Sequence, residues 1–589
     1  MMTVKAPGTT APQNQGLCYF PKPKPWNPYR PVKVIITGAG IGGVASAVLI
    51  SRKVRNVSIA VYDQLDKIGG TWAANVYPGV RCDVPSHSYQ LSCEPNTEWS
   101  EYYPKGAEIQ QYYEKVVAKH GLTESFHLKH EVLKATWLPD EHQWEVSIKN
   151  LKTGNIFSDR TDFFVSSQGR ISKLKTPDIP GLFDKFKGQV VHTARWPKDF
   201  VYKDKKVAVI GNGASGQQLI PNIINDVQHI DHYVRTKTWV TPTFAGDLLV
   251  ATADAPGGPK YSDEEREKFR SDPEAYLKHR RSLDIKLHHR QGTGDLLGSQ
   301  ANYELRERIK KVMLERLDGD EEWLQRVIPD YAPGCKRLTP APGYLEALKS
   351  SQVDYITNGI SKVEKDGIVT EDGQLHPVDA IITATGFEDG FTTLFPVIGK
   401  DGVDLKEKWS RDGDIGYPET YLGVMAPGYP NYFTVLQAQG NARGGTVPLQ
   451  IEITATYIAK CIRKVQSQSY VALNPREDAT RDFNDIVNGY FTHRVTSDKC
   501  SSWFKQGPGS TRVLISWPGS YHHRADALRD PRWEDFEFER ARDARLNRFE
   551  YFSDGTTERE RVGTEEDLTN YLHVIGDINL ETIHEAWND

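Results

Sequence analysis

Sulfur-bearing residues are scarce in this chain, with six cysteines and four methionines among 589 residues. The cysteines, Cys18, Cys82, Cys93, Cys335, Cys461 and Cys500, include no C-x-x-C pair and no Cys/His spacing suited to zinc. That scatter predicts reduced thiols, no metal centre and a cytoplasmic setting. No stretch approaches the roughly 20 apolar residues of a membrane-spanning helix, so no integral membrane segment is expected. The first residues, MMTVKAPGTTAPQNQG, lack the apolar core of a secretory leader. A basic excess is missing too. Lys and Arg number 73 against 78 Asp and Glu, a formal net charge of -5, which excludes charge-driven binding to nucleic acid or acidic membranes. What remains is an ordinary globular composition, 38% hydrophobic and 26% charged. The length exceeds the roughly 250–300 residues at which one core stops growing, which predicts two to four domains.

Residues 1–30 are rich in Pro, Gly and Lys and read as an extended arm, with Tyr19, Phe20, Trp26 and Tyr29 packing its end on the body. A strand–turn–helix–strand pattern follows. VKVIIT (32–37) is a strand, 38–43 a glycine turn, Val44–Ile50 the start of a helix and VSIAVY (57–62) the next strand. The pattern recurs with KVAVI (206–210), a glycine turn at 211–216 and a strand at 230–234.

In the first turn, Gly38 permits the sharp reversal, Gly40 lets backbone approach a pyrophosphate, and Gly43 allows the helix to pack against the strand. The helix N-terminus directs its amides at phosphate oxygens. Asp63 follows Gly43 by 20 residues and suits a ribose diol. In the second turn, Gly211, Gly213, Ser215 and Gly216 occupy the matching positions, but the acid is replaced by Arg235-Thr236-Lys237. A cation there suits a 2′-phosphate, which favours NADPH over NADH. Two dinucleotide sites in one chain imply electron transfer between a nicotinamide and a flavin. Common usage assigns FAD to the first and NADPH to the second.

The expected fold is α/β, with two Rossmann-like dinucleotide-binding domains, the NADPH domain inserted in a discontinuous FAD domain, and a helical subdomain. DFFVSSQG (162–169) and DAIITATG (379–386) echo each other and mark the chain leaving the first domain and returning to it. The expected boundaries are 1–30 for the arm, 31–170 for the first part of the FAD domain and 171–386 for the NADPH domain. A helical insert covers about 245–330, and 387–589 completes the FAD domain with a C-terminal tail. Within the insert Leu305, Ile309, Val312, Met313 and Leu317 recur at helical spacing as a packing stripe.

Between the two glycine turns, Phe186-Lys-Gly188-Gln-Val-Val-His192-Thr-Ala-Arg-Trp196-Pro197 resembles the F-x-G-x-x-x-H-x-x-x-W-P fingerprint of Baeyer–Villiger monooxygenases, the class B flavoprotein monooxygenases. The stretch from Gly69 to Asp83 and the segment Ala384-Thr385-Gly386-Phe387 are similar to two further signatures of that family. The long lead-in and Trp-rich tail resemble its fungal secondary-metabolite members. The resemblance implies a small-molecule ketone, bulky or polycyclic, and O2 as partners, with an ester or lactone formed through a flavin peroxide. A fixed cation beside the developing negative charge is what that chemistry requires, and Arg suits it because it keeps its proton. By matched position in Gly334-Cys335-Lys336-Arg337, the resemblance gives this role to Arg337, with Asp83 as its orienting acid and Lys336 at the NADPH phosphate. It further implies FAD contacts for Thr71, Trp72, Asp83 and Tyr89, and NADPH contacts for Arg81 and Cys82. His192 and Trp196 would gate domain movement, and Trp503 would fold over the nicotinamide or else pack in the core. One departure is clear. The family's G-P-N segment is replaced by Gln437–Gly445, with the proline lost and Arg443 added. An N- or S-oxygenating or epoxidising flavin enzyme of the same fold is the alternative reading. A flavin disulfide reductase and a nucleotide sensor without turnover fit the residues less well.

Overall fold

The computed structural model describes residues 23–243, 258–288, 293–388, 391–506, 510–540 and 547–569. Tyr19, Phe20, Cys18, the leading residues of the helical insert and the end of the tail lie outside the described residues.

Two parallel sheets organise the molecule. The first runs in the order Tyr432–Thr434, Phe163–Ser166, Val32–Thr37, Val57–Asp63, Phe126–Leu128. Val34, Ile35 and Ile36 are each fully buried, as expected of a central strand covered on both faces. One face packs against the helices Ile41–Lys53 and Val447–Ser467. The other packs against an antiparallel sheet built from His130–Leu138, Gln143–Asn150 and Ile156–Thr161, with Val397–Ile398 at its edge. Trp144 lies between the layers, and its indole donates to the Pro430 carbonyl at 2.8 Å.

The second sheet has the order Val353–Ile356, His229–Tyr233, Lys206–Ile210, Ala380–Thr383, Gln189–His192, again all parallel. The helices Ala214–Ile223, Gln300–Arg316 and Tyr344–Leu348 cover one face. A three-stranded sheet, Ile360–Glu364, Gly367–Thr370 and Leu375–Pro377, covers the other. The two echoing segments hold equivalent places, each beside the glycine-loop strand of its own sheet. Ala380–Thr383 is tied in register to Val207–Ile210, and the chain re-enters the first sheet at Tyr432–Thr434.

The helical insert belongs to both layers. Pro273–Leu287 sends Leu283 into the first core, and the Tyr276 hydroxyl lies 3.0 Å from His87 Nδ1. Gln300–Arg316 instead buries Ile309 and Met313 in the second core, and Leu317 follows them there. Trp26 of the arm donates to the Ser467 carbonyl at 2.9 Å, so the arm's end does pack on the body. Among the described residues no helix is long and apolar enough to cross a membrane.

The cysteines require a correction. Reduced thiols were expected, but Cys335 and Cys500 form a disulfide, with Cα atoms 6.2 Å apart across 165 residues of sequence. Spacing along the chain could not reveal a pairing made by the docking of two distant loops. Among the described residues Cys82, Cys93 and Cys461 are free.

Trp144→Ala removes the indole that fills the space between the first sheet and its antiparallel neighbour. The expected cost is about 3–5 kcal/mol. Thermal unfolding followed by circular dichroism should show a clearly lowered midpoint, and an unchanged midpoint would remove this layer from the stabilising core.

Candidate functional site

The first glycine turn is a cradle with no room for side chains. A Cβ on Gly43 would lie 1.8 Å from the Gly38 carbonyl oxygen, and one on Gly38, whose φ is +99°, would lie 2.3 Å from that of Ser167. Gly40 faces Gly70 across a backbone approach so close that a Cβ on Gly70 would come within 2.7 Å of the Gly40 Cα. This approach sets the short helix Thr71–Ala74, with Thr71 and Trp72, directly over the turn. Asp63 accepts from the Ala39 amide at 2.6 Å and from the Leu65 amide at 2.7 Å. Burial raises its pKa, and the two amides oppose that rise. The residues fit a dinucleotide: backbone amides at a helix start, bare glycines and a held carboxylate.

The second turn repeats the plan. A Cβ on Gly216 would lie 2.3 Å from the Gly211 carbonyl oxygen, whereas Gly213 has open space where its side chain would be. Ser215 opens the helix Ala214–Ile223 beside Tyr77. Arg235 is exposed after the neighbouring strand. Thr236 offers its carbonyl to Asn212 at 3.5 Å. Lys237 is directed elsewhere, its ammonium donating to the Gln325 carbonyl at 3.0 Å. The second cation beside Arg235 is instead Lys336. Burial, then Arg235 and Lys505, lower its pKa to about 8. Among the described residues neither Lys336 nor Arg235 is paired with a carboxylate. Unneutralised cations beside a glycine turn fit a phosphate-bearing ligand.

The stretch from Gly69 to Asp83 joins the two turns. Tyr77 donates to Gln218 Oε1 at 2.8 Å, and Gln218 Nε2 donates to the Arg81 carbonyl at 3.1 Å. Gly79 approaches Asn222 so closely that a Cβ would lie 2.3 Å from its Nδ2. A cleft between the domains is lined by Gly79, Arg81, Asp83, Ala214, Gln218 and Ala341. Arg81 itself is paired with Glu101 at 2.9 Å, and Cys82 is buried with its thiol pKa raised chiefly by that burial.

Asp83 and Arg337 meet at this junction. One guanidinium nitrogen of Arg337 lies 2.6 Å from each Asp83 carboxylate oxygen. The Arg337 side chain keeps 49% of its surface exposed, while Asp83, which lines the cleft, keeps 16%. Asp83 is the main cause of a raised Arg337 pKa, so the cation is permanent. Tyr89 accepts from the Trp72 indole at 3.3 Å, and the two rings stand edge to face at 5.7 Å. Trp503 is 45% exposed, not a core tryptophan, and the Arg170 guanidinium lies 5.7 Å from its ring centre.

Sequence reasoning missed Arg170, Lys505 and Gln437. Arg170 sits at the end of the segment DFFVSSQGR, where a strand leads into the site. Burial and Arg337 lower its pKa to about 10, and one buried nitrogen lacks a partner among the described residues. Gln437, in the departing segment, buries an amide with no hydrogen bond among the described residues. Arg443 of that segment is ion-paired with Asp295.

The fingerprint residues lie apart from Arg337. His192 accepts from the Ala194 amide at 3.1 Å and sits against Gly386 and Phe387. Burial lowers its pKa. Trp196 packs edge-on against Phe200 and Tyr202.

Comparison with known proteins matches residues 36–105 to an NAD(P)-binding Rossmann-like domain. The chain is 35% identical over 552 residues to the FAD-binding monooxygenase moxY of Dothistroma septosporum, covering 92% of this chain and 85% of that protein. It is 32% identical to a Baeyer-Villiger monooxygenase of Streptomyces coelicolor, covering 83% and 89%. Its fold is similar to that of cyclohexanone monooxygenase from Rhodococcus sp. Phi1 bound to NADP+, with a TM-score of 0.73 at 25% identity, covering 87% of this chain and 100% of that one.

Lys336 provides a test of the charge crowding at the second turn. Its acylation by a small amine-directed reagent, followed by peptide mass spectrometry, should rise through about pH 8. A midpoint near the roughly 10.4 of a free lysine would show that neither burial nor the neighbouring cations lower it.

Proposed function

Because the chain belongs to the FAD-binding monooxygenases that include the Baeyer–Villiger enzymes, we propose that it inserts one oxygen atom of O2 beside the carbonyl of a ketone, giving an ester or lactone. FAD lies at the first glycine turn and NADPH at the second. Bound FAD, reduced by NADPH, supplies the activation of oxygen. The observation that carries the reading is the Asp83–Arg337 pair, a permanent cation held at the cleft between the two turns.

Each residue then has a task that its surroundings support. Gly38, Gly40 and Gly43 admit the FAD pyrophosphate, and Thr71 and Trp72, fixed above the turn, border the flavin with Tyr89. Gly211, Gly213 and Gly216 admit the NADPH pyrophosphate, and Lys336 and Arg235 hold its 2′-phosphate. Arg337 stabilises negative charge on the oxygen that develops when the ketone carbonyl is attacked. Asp83 fixes the orientation of that guanidinium. Addition to a carbonyl creates an oxyanion, whereas oxidation of a thioether or amine does not. A fixed cation therefore favours the ketone reaction over N- or S-oxygenation. The ketone is a bulky, polycyclic one, a reading that follows from the resemblance of the long lead-in and Trp-rich tail to fungal secondary-metabolite members of the family.

Arg337→Ala tests the assignment. The purified variant should bind FAD and consume NADPH to reduce it, while ester formation from a polycyclic ketone, read by mass spectrometry as one added oxygen, falls at least about 100-fold. Undiminished ester formation would remove Arg337 from the reaction. A wild-type product oxidised only at sulfur or nitrogen would overturn the ketone reading.

A further inference from the structure

Two loops far apart in sequence meet beside the site. One carries Cys335-Lys336-Arg337, the other Cys500 and Trp503. They are held together in three ways. The Ala332 amide donates to the Asp498 carboxylate at 2.8 Å. The Lys505 ammonium, only 3% exposed as a residue, donates to the Asp498 and Cys500 carbonyls of its own loop and lies 3.8 Å from the Cys335 sulfur of the other. The third is the Cys335–Cys500 bond. Cys335 is 0% and Cys500 7% exposed, so the bridge lies within the junction and not on its surface.

We propose that Cys335 and Cys500 are an oxidation site whose disulfide positions the Trp503 loop against Lys336 and Arg337, and whose reduction loosens that loop. Three observations support it. The cysteines directly abut residues of the site, with Lys336 following Cys335 and Trp503 three residues after Cys500. The Lys505 ammonium lies 3.8 Å from the Cys335 sulfur, where a cation favours the thiolate that begins oxidation. The Ala332–Asp498 hydrogen bond and the Lys505–Cys335 contact join the two loops independently of the sulfur–sulfur bond.

The chemistry balances with hydrogen peroxide, or another two-electron oxidant of that class. The Cys335 thiolate attacks one peroxide oxygen, the O–O bond breaks, and a sulfenic acid and water result. The Cys500 sulfur then displaces that hydroxyl as a second water. In sum two thiols and one peroxide give one disulfide and two waters. Reduction by a dithiol returns both thiols.

The kinetic part of this inference rests on the NADPH-dependent reading above, but the covalent part does not. The test uses the full-length FAD-loaded protein, treated with peroxide or with dithiothreitol and then digested under non-reducing conditions. A cross-linked peptide joining Cys335 and Cys500 should be present after peroxide and absent after the dithiol. The reduced enzyme should show KM for NADPH raised roughly fivefold or more, with kcat changed much less, and a larger share of NADPH consumed as free peroxide. Cys500→Ser should behave as the reduced enzyme does and no longer respond to the dithiol. Cys335→Ser provides the same reading if that variant fails to fold. Absence of the cross-linked peptide after peroxide would overturn the oxidation site. A cross-link with no shift in KM or peroxide release would overturn its positioning role. A dithiol response that persists in the serine variant would assign the effect to other cysteines. Failure of ketone oxidation alone would touch the functional reading and leave the peptide result standing.

Discussion

The arrangement depends on one ion pair that crosses from domain to domain. Asp83 belongs to the stretch lying over the first glycine turn, and Arg337 to the segment after the insert, 254 residues later. With the guanidinium half exposed, the pair contributes little to stability. Its contribution is geometric. A guanidinium anchored through one nitrogen to both carboxylate oxygens has, among the described residues, no other hydrogen-bond partner for its remaining donors. Those donors can meet an oxyanion without prior rearrangement, which is where a fixed charge has most effect on a barrier. The hydrogen bonds of Tyr77 and Gln218 hold the Asp83 stretch onto the second domain's helix. They are therefore as much a part of the site as the pair itself.

Around that pair the charges are unequal. Arg337, Arg170, Lys336, Arg235 and Lys505 gather near the cleft, and Asp83 is the acid directly paired among them. Burial, and then the like charges around them, lowers the pKa of both Lys336 and Arg170. Phosphates brought beside these cations would relieve that repulsion. Lys237 makes the same point by contrast. Its ammonium is occupied by a carbonyl, and it takes no part in this excess.

Much of this was legible in the sequence wherever a residue type is dictated by local sterics. Gly38 at φ +99° and Gly43, where a Cβ would lie 1.8 Å from a carbonyl oxygen, admit no other residue, so the turn and its flanking strand and helix could be placed from letters alone. Arg337 and Asp83 were different. Neither residue has a local signal, and they became readable through the family resemblance of their flanking segments. Arg170, Lys505 and the Cys335–Cys500 bridge stayed hidden because each acquires its meaning from a partner on another loop. Trp503 shows the limit from the other side. Its neighbours allowed a lid or a core residue, and its exposure excludes only the second. Lys237 looked equivalent to Arg235, and the direction of a flexible side chain separated them.

The bridge also changes how motion at the site is to be understood. A loop held by hydrogen bonds alone can exchange them for water one at a time, so its closed state competes with many partly open ones. The covalent link removes that competition at one point, three residues before Trp503. Arg170 then offers its guanidinium face to the indole at 5.7 Å, an attraction weak enough to break and re-form. The segment bearing Arg337 and the base of the Trp503 loop are thus joined covalently, and the link falls between the cation and the indole.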